Sequence, residues 1–229
     1  MKIKEIPEAL RPREKAMQHG LERLSDRELL ALFVRQGTKK FSALQVADEI
    51  LKVTGSLNGI NRITKDALME IRGISHIKAL EIMALVEVSK RIVKPKSGEV
   101  IQVNEPHTLV NWLNLEVGYK RQEYFIAVYL DKQNRLIKAS QLFVGTLDRS
   151  VVHQREIFKD AVKNSASHII LVHNHPSGGL VPSQSDIDTT EILVNAGYMM
   201  GVYILDHLIV SEGSYLSIRE HMPELFVIE

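Results

Sequence analysis

Ser167-His168-Ile169-Ile170-Leu171-Val172-His173-Asn174 runs into His175-Pro176 and, after a Gly/Pro loop, into Pro182-Ser183-Gln184-Ser185-Asp186. Ile169 to Val172 is an unbroken apolar run, as expected of a strand covered on both faces. A strand is therefore predicted over 167–174. Pro176 turns the chain out of the sheet, since proline cannot extend a central ladder. Ser183 with Asp186 three residues on opens a helix predicted over 183–200. Gly201 to Val210 then reads as a second buried strand. Strand, helix and strand in succession make this half of the chain α/β, although strand order is not readable from the pattern.

The same stretch carries the chemistry. His173 and His175 are two residues apart at a strand end, so both rings leave one face of the sheet. The loop is long enough to bring the Asp186 carboxylate back to them. Two imidazoles and a carboxylate with one position open is the ligand set of a catalytic zinc site. Imidazole–carboxylate sites also accept other first-row metals, with zinc the better fit. Ser183-x-x-Asp186 is at the same time a plain helix capping box, and that role can coexist with a metal. Hydrolysis at such a site needs a carboxylate to take and return a proton. Spacing leaves two candidates open: Glu123, just before the strand Tyr124–Asp131, and Glu156, near the start of a helix predicted over 153–165. Asp206-His207 reads first as a strand-end cap and only second as a pair behind the metal ligands.

Further out, Arg135 to Val144 follows Tyr124–Asp131 after a short turn, so the two strands should pair antiparallel. Upstream of Lys94 the pattern becomes purely helical. Ser25-Asp26-Arg27-Glu28 is a capping box ahead of Leu29, Leu30, Leu32 and Phe33. Phe41–Val53, a short helix capped by Thr64, and Ile77–Ile92 follow. The expected organisation is a small all-α domain over 1–95, a linker over 96–101 and an α/β domain over 102–229. Charge divides similarly: residues 1–100 carry 19 Lys/Arg against 13 Asp/Glu, and residues 101–229 carry 10 against 15. No internal repeat is visible.

Cysteine is absent from the 229 residues. That excludes a disulfide framework, a cysteine nucleophile and every thiolate metal site. No apolar run reaches the roughly 18 residues of a membrane span. The N-terminal MKIKEIPEALRPREK has no apolar core of a signal peptide. A cytoplasmic location without membrane attachment is the expectation.

H-x-H-P-x₆-S-x₂-D, from His173 to Asp186, resembles the signature of the JAMM (MPN-plus) zinc metalloproteases. More closely, Phe143–Gly178 (FVGTLDRSVVHQREIFKDAVKNSASHIILVHNHPSG), with Leu10–Lys15 and Gly20–Thr38, is similar to the bacterial RadC family over nearly the whole chain. The resemblance implies a JAMM/MPN-like α/β domain, a mixed sheet flanked by helices, behind a helical domain. It implies His173, His175 and Asp186 as Zn²⁺ ligands and Ser183 as the residue that steadies an oxyanion. It also favours Glu123 over Glu156 as the catalytic carboxylate, since in that family the glutamate precedes the first core strand. Asn174 departs from the Ser or Thr common between the histidines of the peptidases.

Glu70-Ile71-Arg72-Gly73-Ile74-Ser75-His76-Ile77-Lys78 resembles a helix-hairpin-helix, whose turn amides bind DNA phosphate. Gly73 and Lys78 would make that contact. The expected function is a zinc-dependent hydrolase of the JAMM type, cutting a peptide or isopeptide bond of a protein substrate. The alternative is a DNA-binding, repair-associated protein whose JAMM-like domain is a platform or acts on DNA-bound substrates.

Overall fold

The computed structural model describes residues 6–95, 100–105, 107–145 and 154–227. Most of the expected linker, and His153 at the expected start of a helix, lie outside them. The chain divides into two compact units, 1–92 and 93–229.

The first unit is helical: α1 (Pro12–His19), α2 (Asp26–Val34), α3 (Ala43–Thr54), α4 (Lys65–Glu70) and α5 (His76–Val93). Its helix starts are chemically specified. Ser25 and Ser42 close reciprocal capping boxes with Glu28 and Gln45, and the Thr64 hydroxyl accepts the Ala67 amide. Each cap satisfies amides that the helix itself leaves unpaired. Leu30, Val34, Val46, Ala47, Ile50 and Leu68 form the buried core. Gly73 sits at φ 98° between α4 and α5, and a Cβ there would lie 2.8 Å from Val46 Cγ2. The turn therefore requires glycine both for its backbone angle and for its contact with α3.

The second unit is a five-stranded mixed sheet: β1 (Tyr124–Leu130), β2 (Leu136–Val144), β3 (His168–Asn174), β4 (Tyr203–Ser211) and β5 (Ser214–Ser217). Strand order is β2-β1-β3-β4-β5, with only β3 and β4 parallel. The β1–β2 hairpin is antiparallel, as its short turn requires. β3 and β4 are joined by α8 (Gln184–Met200), the long crossover that a parallel pair needs. One face of the sheet packs on α7 (Gln154–Lys163) and α8 through Phe125, Ala127, Ile169, Leu171, Phe158 and Leu193. The other packs on α6 (His107–Leu113) through Leu109, Leu113, Val128, Val172 and Leu208. Coverage on both faces explains the continuous apolar runs of β1 and β3. The sequence reading did not anticipate α6, β5 or the terminal turn α9 (Ile218–His221).

Between Ile169 and Ile170 of β3 the β4 partner jumps from Ile204 to Asp206. This extra residue reverses the alternation of β4. Ile204 points to the α8 side, but beyond the bulge Leu208 and Val210 point to the α6 side. His207 thereby turns toward α8, where the β3 histidines lie.

Candidate metal centre

His173 and His175 stand at the C-terminal end of β3 on the α8 face, and Asp186 lies in the first turn of α8. One ligand atom from each falls within 4.8 Å of the others. The two imidazole Nε2 atoms are 3.0 Å apart. Asp186 Oδ1 is 3.1 Å from His173 Nε2, and Oδ2 is 3.4 Å from His175 Nε2. His173 and Asp186 are buried; His175 is partly open.

Local folding aims each group. His173 is fixed by the β1 and β4 ladders, opposite Phe125 and Ile209. The His175 amide donates to Val210 O, and Ser211 Oγ donates to His175 O, which ties the strand exit to β4. Asp186 is held by the capping box: its Oδ2 accepts from Ser183 N at 2.7 Å and from Ser183 Oγ at 2.6 Å. The box and the convergence with histidine coexist, because Oδ1 remains directed at His173.

Proton accounting tests whether a cation suits these groups. His175 Nδ1 lies 3.0 Å from Gly179 O, a carbonyl that can only accept. The hydrogen is therefore on Nδ1, and the neutral ring presents a bare Nε2 to the centre. Burial raises the Asp186 pKa, but the adjacent His173 and His175 rings and the hydrogen bond from Ser183 outweigh it and hold the carboxyl well below its usual range. The same carboxylate raises the His175 pKa against the opposing effect of burial. A buried carboxylate beside a bare imidazole nitrogen calls for a positive charge, and His173, His175 and Asp186 could hold a metal ion.

Glu123 precedes β1. It stands two residues before Phe125, which pairs with His173 in the β1–β3 ladder. Its charge contributes to the raised His175 pKa. Its carbonyl accepts the Gly145 amide at 2.9 Å. Glu156 instead lies exposed in the first turn of α7, with an ion pair to Lys159 at 3.1 Å.

The roles of Asn174 and Thr190 escaped the sequence reading, and for Asp206-His207 the second of its two readings fits His207. Asn174 is fully buried and its side chain is directed to the 120–124 backbone instead of toward Asp186. Its Oδ1 accepts Tyr124 N at 2.7 Å, and its Nδ2 donates to Gln122 O at 3.1 Å and Lys120 O at 3.3 Å. It thus clamps the backbone on both sides of Glu123. Asp206-His207 is not a strand-end cap, because β4 continues to Ser211. The bulge instead splits the pair: Asp206 accepts from Ser217 Oγ and Arg219 N, while His207 Nε2 lies 2.9 Å from His173 Nδ1. Thr190 Oγ1 reaches the other nitrogen of that ring. A threonine four residues after Asp186, on the same helical face, was the available signal.

In the first unit, Lys78 Nζ donates to the carbonyls of Gln36 and Gly73, spanning the turn at Gly73. None of the described helices is long and apolar enough to cross a membrane.

A mixed sheet between helices, with two histidines at a strand end and an aspartate on the following helix, is a JAB/MPN-like fold carrying a candidate metal centre. Residues 103–223 match the family model described as the RadC-like JAB domain, and residues 3–80 match the UPF0758 N-terminal domain. The chain belongs to the RadC (UPF0758) family. It is 38% identical over 218 residues to a UPF0758 protein of Geobacillus sp. (strain WCH70), covering 95% of this chain and 96% of that one. A UPF0758 protein of Clostridium tetani is 39% identical over 96% of both chains. One from Streptococcus sanguinis is 42% identical over 93% of both.

Proposed function

We propose that the protein is a zinc-dependent hydrolase of the JAMM type that cuts a peptide or isopeptide bond. The observation that carries this reading is the convergence of His173, His175 and Asp186 on one point with His175 partly exposed, and with the charge of Glu123 felt at His175. Zinc suits this imidazole–carboxylate set, and when bound it supplies Lewis acidity that lowers the pKa of water to about 7 and polarises a carbonyl. Glu123 would take the proton of the attacking water as its oxygen bonds to the carbonyl carbon. It would return that proton to the amine as the C–N bond breaks. Ser183 would turn its hydroxyl hydrogen from Asp186 Oδ2 to the carbonyl oxygen, a donation worth roughly 3–4 kcal/mol in comparable sites. The capping amides of α8 keep Asp186 in place while that hydrogen moves.

The test is elemental analysis of untagged protein never exposed to a chelator, with His175→Ala and Asp186→Asn beside the wild type. About one zinc per chain (one site,), lost in both variants with the circular dichroism unchanged, supports the reading. Peptidase activity that disappears in Glu123→Gln with zinc retained assigns the base. A wild type that takes up no zinc removes the proposal.

A second reading, DNA-phosphate binding at the Gly73–Lys78 turn, draws on the basic charge of residues 1–100. Lys78 would have to leave its two carbonyl partners to reach a phosphate. Anisotropy titration of labelled duplex DNA against salt, with Lys78→Ala, tests it.

A further inference from the structure

His173 is the ligand whose protonation is set from behind. Its Nδ1 faces His207 Nε2 at 2.9 Å, and His207 Nδ1 faces Thr190 Oγ1 at 2.6 Å. Thr190 Oγ1 lies in turn 2.6 Å from the backbone carbonyl of Asp186, one turn earlier in α8. These contacts, at 2.6–2.9 Å, join buried polar atoms away from the point where His173, His175 and Asp186 converge, so each is made through a hydrogen.

The direction follows from the end of the chain that can only accept. The Asp186 carbonyl has no hydrogen, so the single hydroxyl hydrogen of Thr190 lies between those two oxygens. Thr190 Oγ1 must then accept from His207, which puts the His207 hydrogen on Nδ1. His207 is fully buried, with the Phe125 ring edge-on at 5.4 Å, and burial disfavours its charged form. A neutral ring protonated at Nδ1 has a bare Nε2. The contact with His173 therefore takes its hydrogen from His173 Nδ1, which leaves His173 Nε2 bare and facing His175 and Asp186. Phe125 stacks on His173 at 6.2 Å and keeps the ring from turning.

We infer that His207 and Thr190 are positioning residues that lock His173 in the tautomer able to ligate a divalent cation through Nε2. The inference deepens the metal reading above and rests on it for its consequence. It also couples two ligands. One turn of α8 supplies the Asp186 carboxylate and, through its carbonyl and Thr190, the anchor that orients His173. The β4 bulge makes this relay reachable, since without the extra residue His207 would point to the α6 side.

The experiment combines two readouts on the full chain. In ¹⁵N-histidine-labelled protein, the through-hydrogen-bond coupling between the two rings reports which nitrogen carries the proton, with or without metal. Zinc affinity is measured by competition with a chromophoric chelator, and the visible spectrum of the Co²⁺-loaded protein reports ligand geometry. Thr190→Val keeps the shape and removes the hydroxyl; His207→Leu removes both ring nitrogens. Both should weaken zinc binding about 10–100-fold, the usual effect of losing a group that orients a ligand, and alter the Co²⁺ spectrum. Thr190→Ser and His207→Gln should recover the affinity. The glutamine can accept from His173 and donate to Thr190, so a role confined to packing would not produce that rescue.

A proton resting on His207 Nε2 overturns the inference. So does wild-type zinc affinity in folded Thr190→Val. If the proton sits on His173 Nδ1 while the wild type binds no zinc, the relay stands and the metal reading fails.

Discussion

Replacing Asn174 by alanine tests how the Glu123 end of β1 is held. Asn174 lies within the H-x-H stretch, yet all three of its side-chain hydrogen bonds go to the backbone of 120–124. The strongest, at 2.7 Å, satisfies the Tyr124 amide at the start of β1. Removing its buried partner costs about 1–3 kcal/mol for the stranded donor. The Lys120 and Gln122 carbonyls can recover water, because both residues are exposed. Losing those bonds adds about 0.5–1.5 kcal/mol. The sum is roughly 2–4 kcal/mol, or a melting temperature lower by about 5–15 °C for a unit of this size. Asn174→Asp should do more damage, about 3–5 kcal/mol, because it sets a buried charged oxygen against two carbonyls. Native-state hydrogen exchange with thermal unfolding is the assay, and the Tyr124 amide should lose protection first. Zinc affinity should barely change in Asn174→Ala, since the side chain is directed to the 120–124 backbone instead of toward Asp186. Activity should fall as Glu123 loses its clamp. A variant within about 0.5 kcal/mol of wild type, the range of ordinary surface changes, would refute the reasoning. So would unaltered exchange at Tyr124.

Ser183→Ala removes the N-cap of α8 at a cost of about 1 kcal/mol and should lower kcat by about 10²–10³-fold; a stability loss with unchanged kcat confines Ser183 to capping. Gly73→Ala meets both the 98° φ and Val46 Cγ2 at 2.8 Å, so the first unit should lose about 1–3 kcal/mol in denaturant titration, with the second unit's transition unmoved. In chelator-treated protein, Asp186 raises the folded-state pKa of His175 above 6.5 against the effect of burial. The stabilisation from that proton is then fully present below pH 6.5 and lost as pH rises through the folded-state value. Zinc competes for the same nitrogen, so zinc-loaded protein should reverse the slope in melting curves taken across pH.

Local rules carried much of this molecule. The caps at Ser25, Thr64 and Ser183 are set by one side chain and amides within a turn, and they stand where the sequence puts them. β1 and β3 were legible because full burial writes itself as a continuous apolar run. His173, His175 and Asp186 were legible because strand and helix periodicities are short and the loop between them is brief. What the sequence could not supply was long-range phase. Choosing between Glu123 and Glu156 by geometry requires the β1–β3 register, which pairs residues nearly fifty positions apart in a ladder that local pattern does not encode. The facing of His207 depends on one extra residue in β4, and a one-residue slip inverts every side chain beyond it. Asn174 looks like an ordinary polar residue until the fold brings the 120–124 backbone against it. The sequence by itself determined most of the helices, the buried strands and the candidate His/His/Asp group, because those follow from neighbours along the chain, whereas the short α6, β5 and α9 do not show in local pattern. Only the tertiary structure decided which groups pack behind His173, with His207 and Thr190 in line, because that follows from neighbours across the sheet.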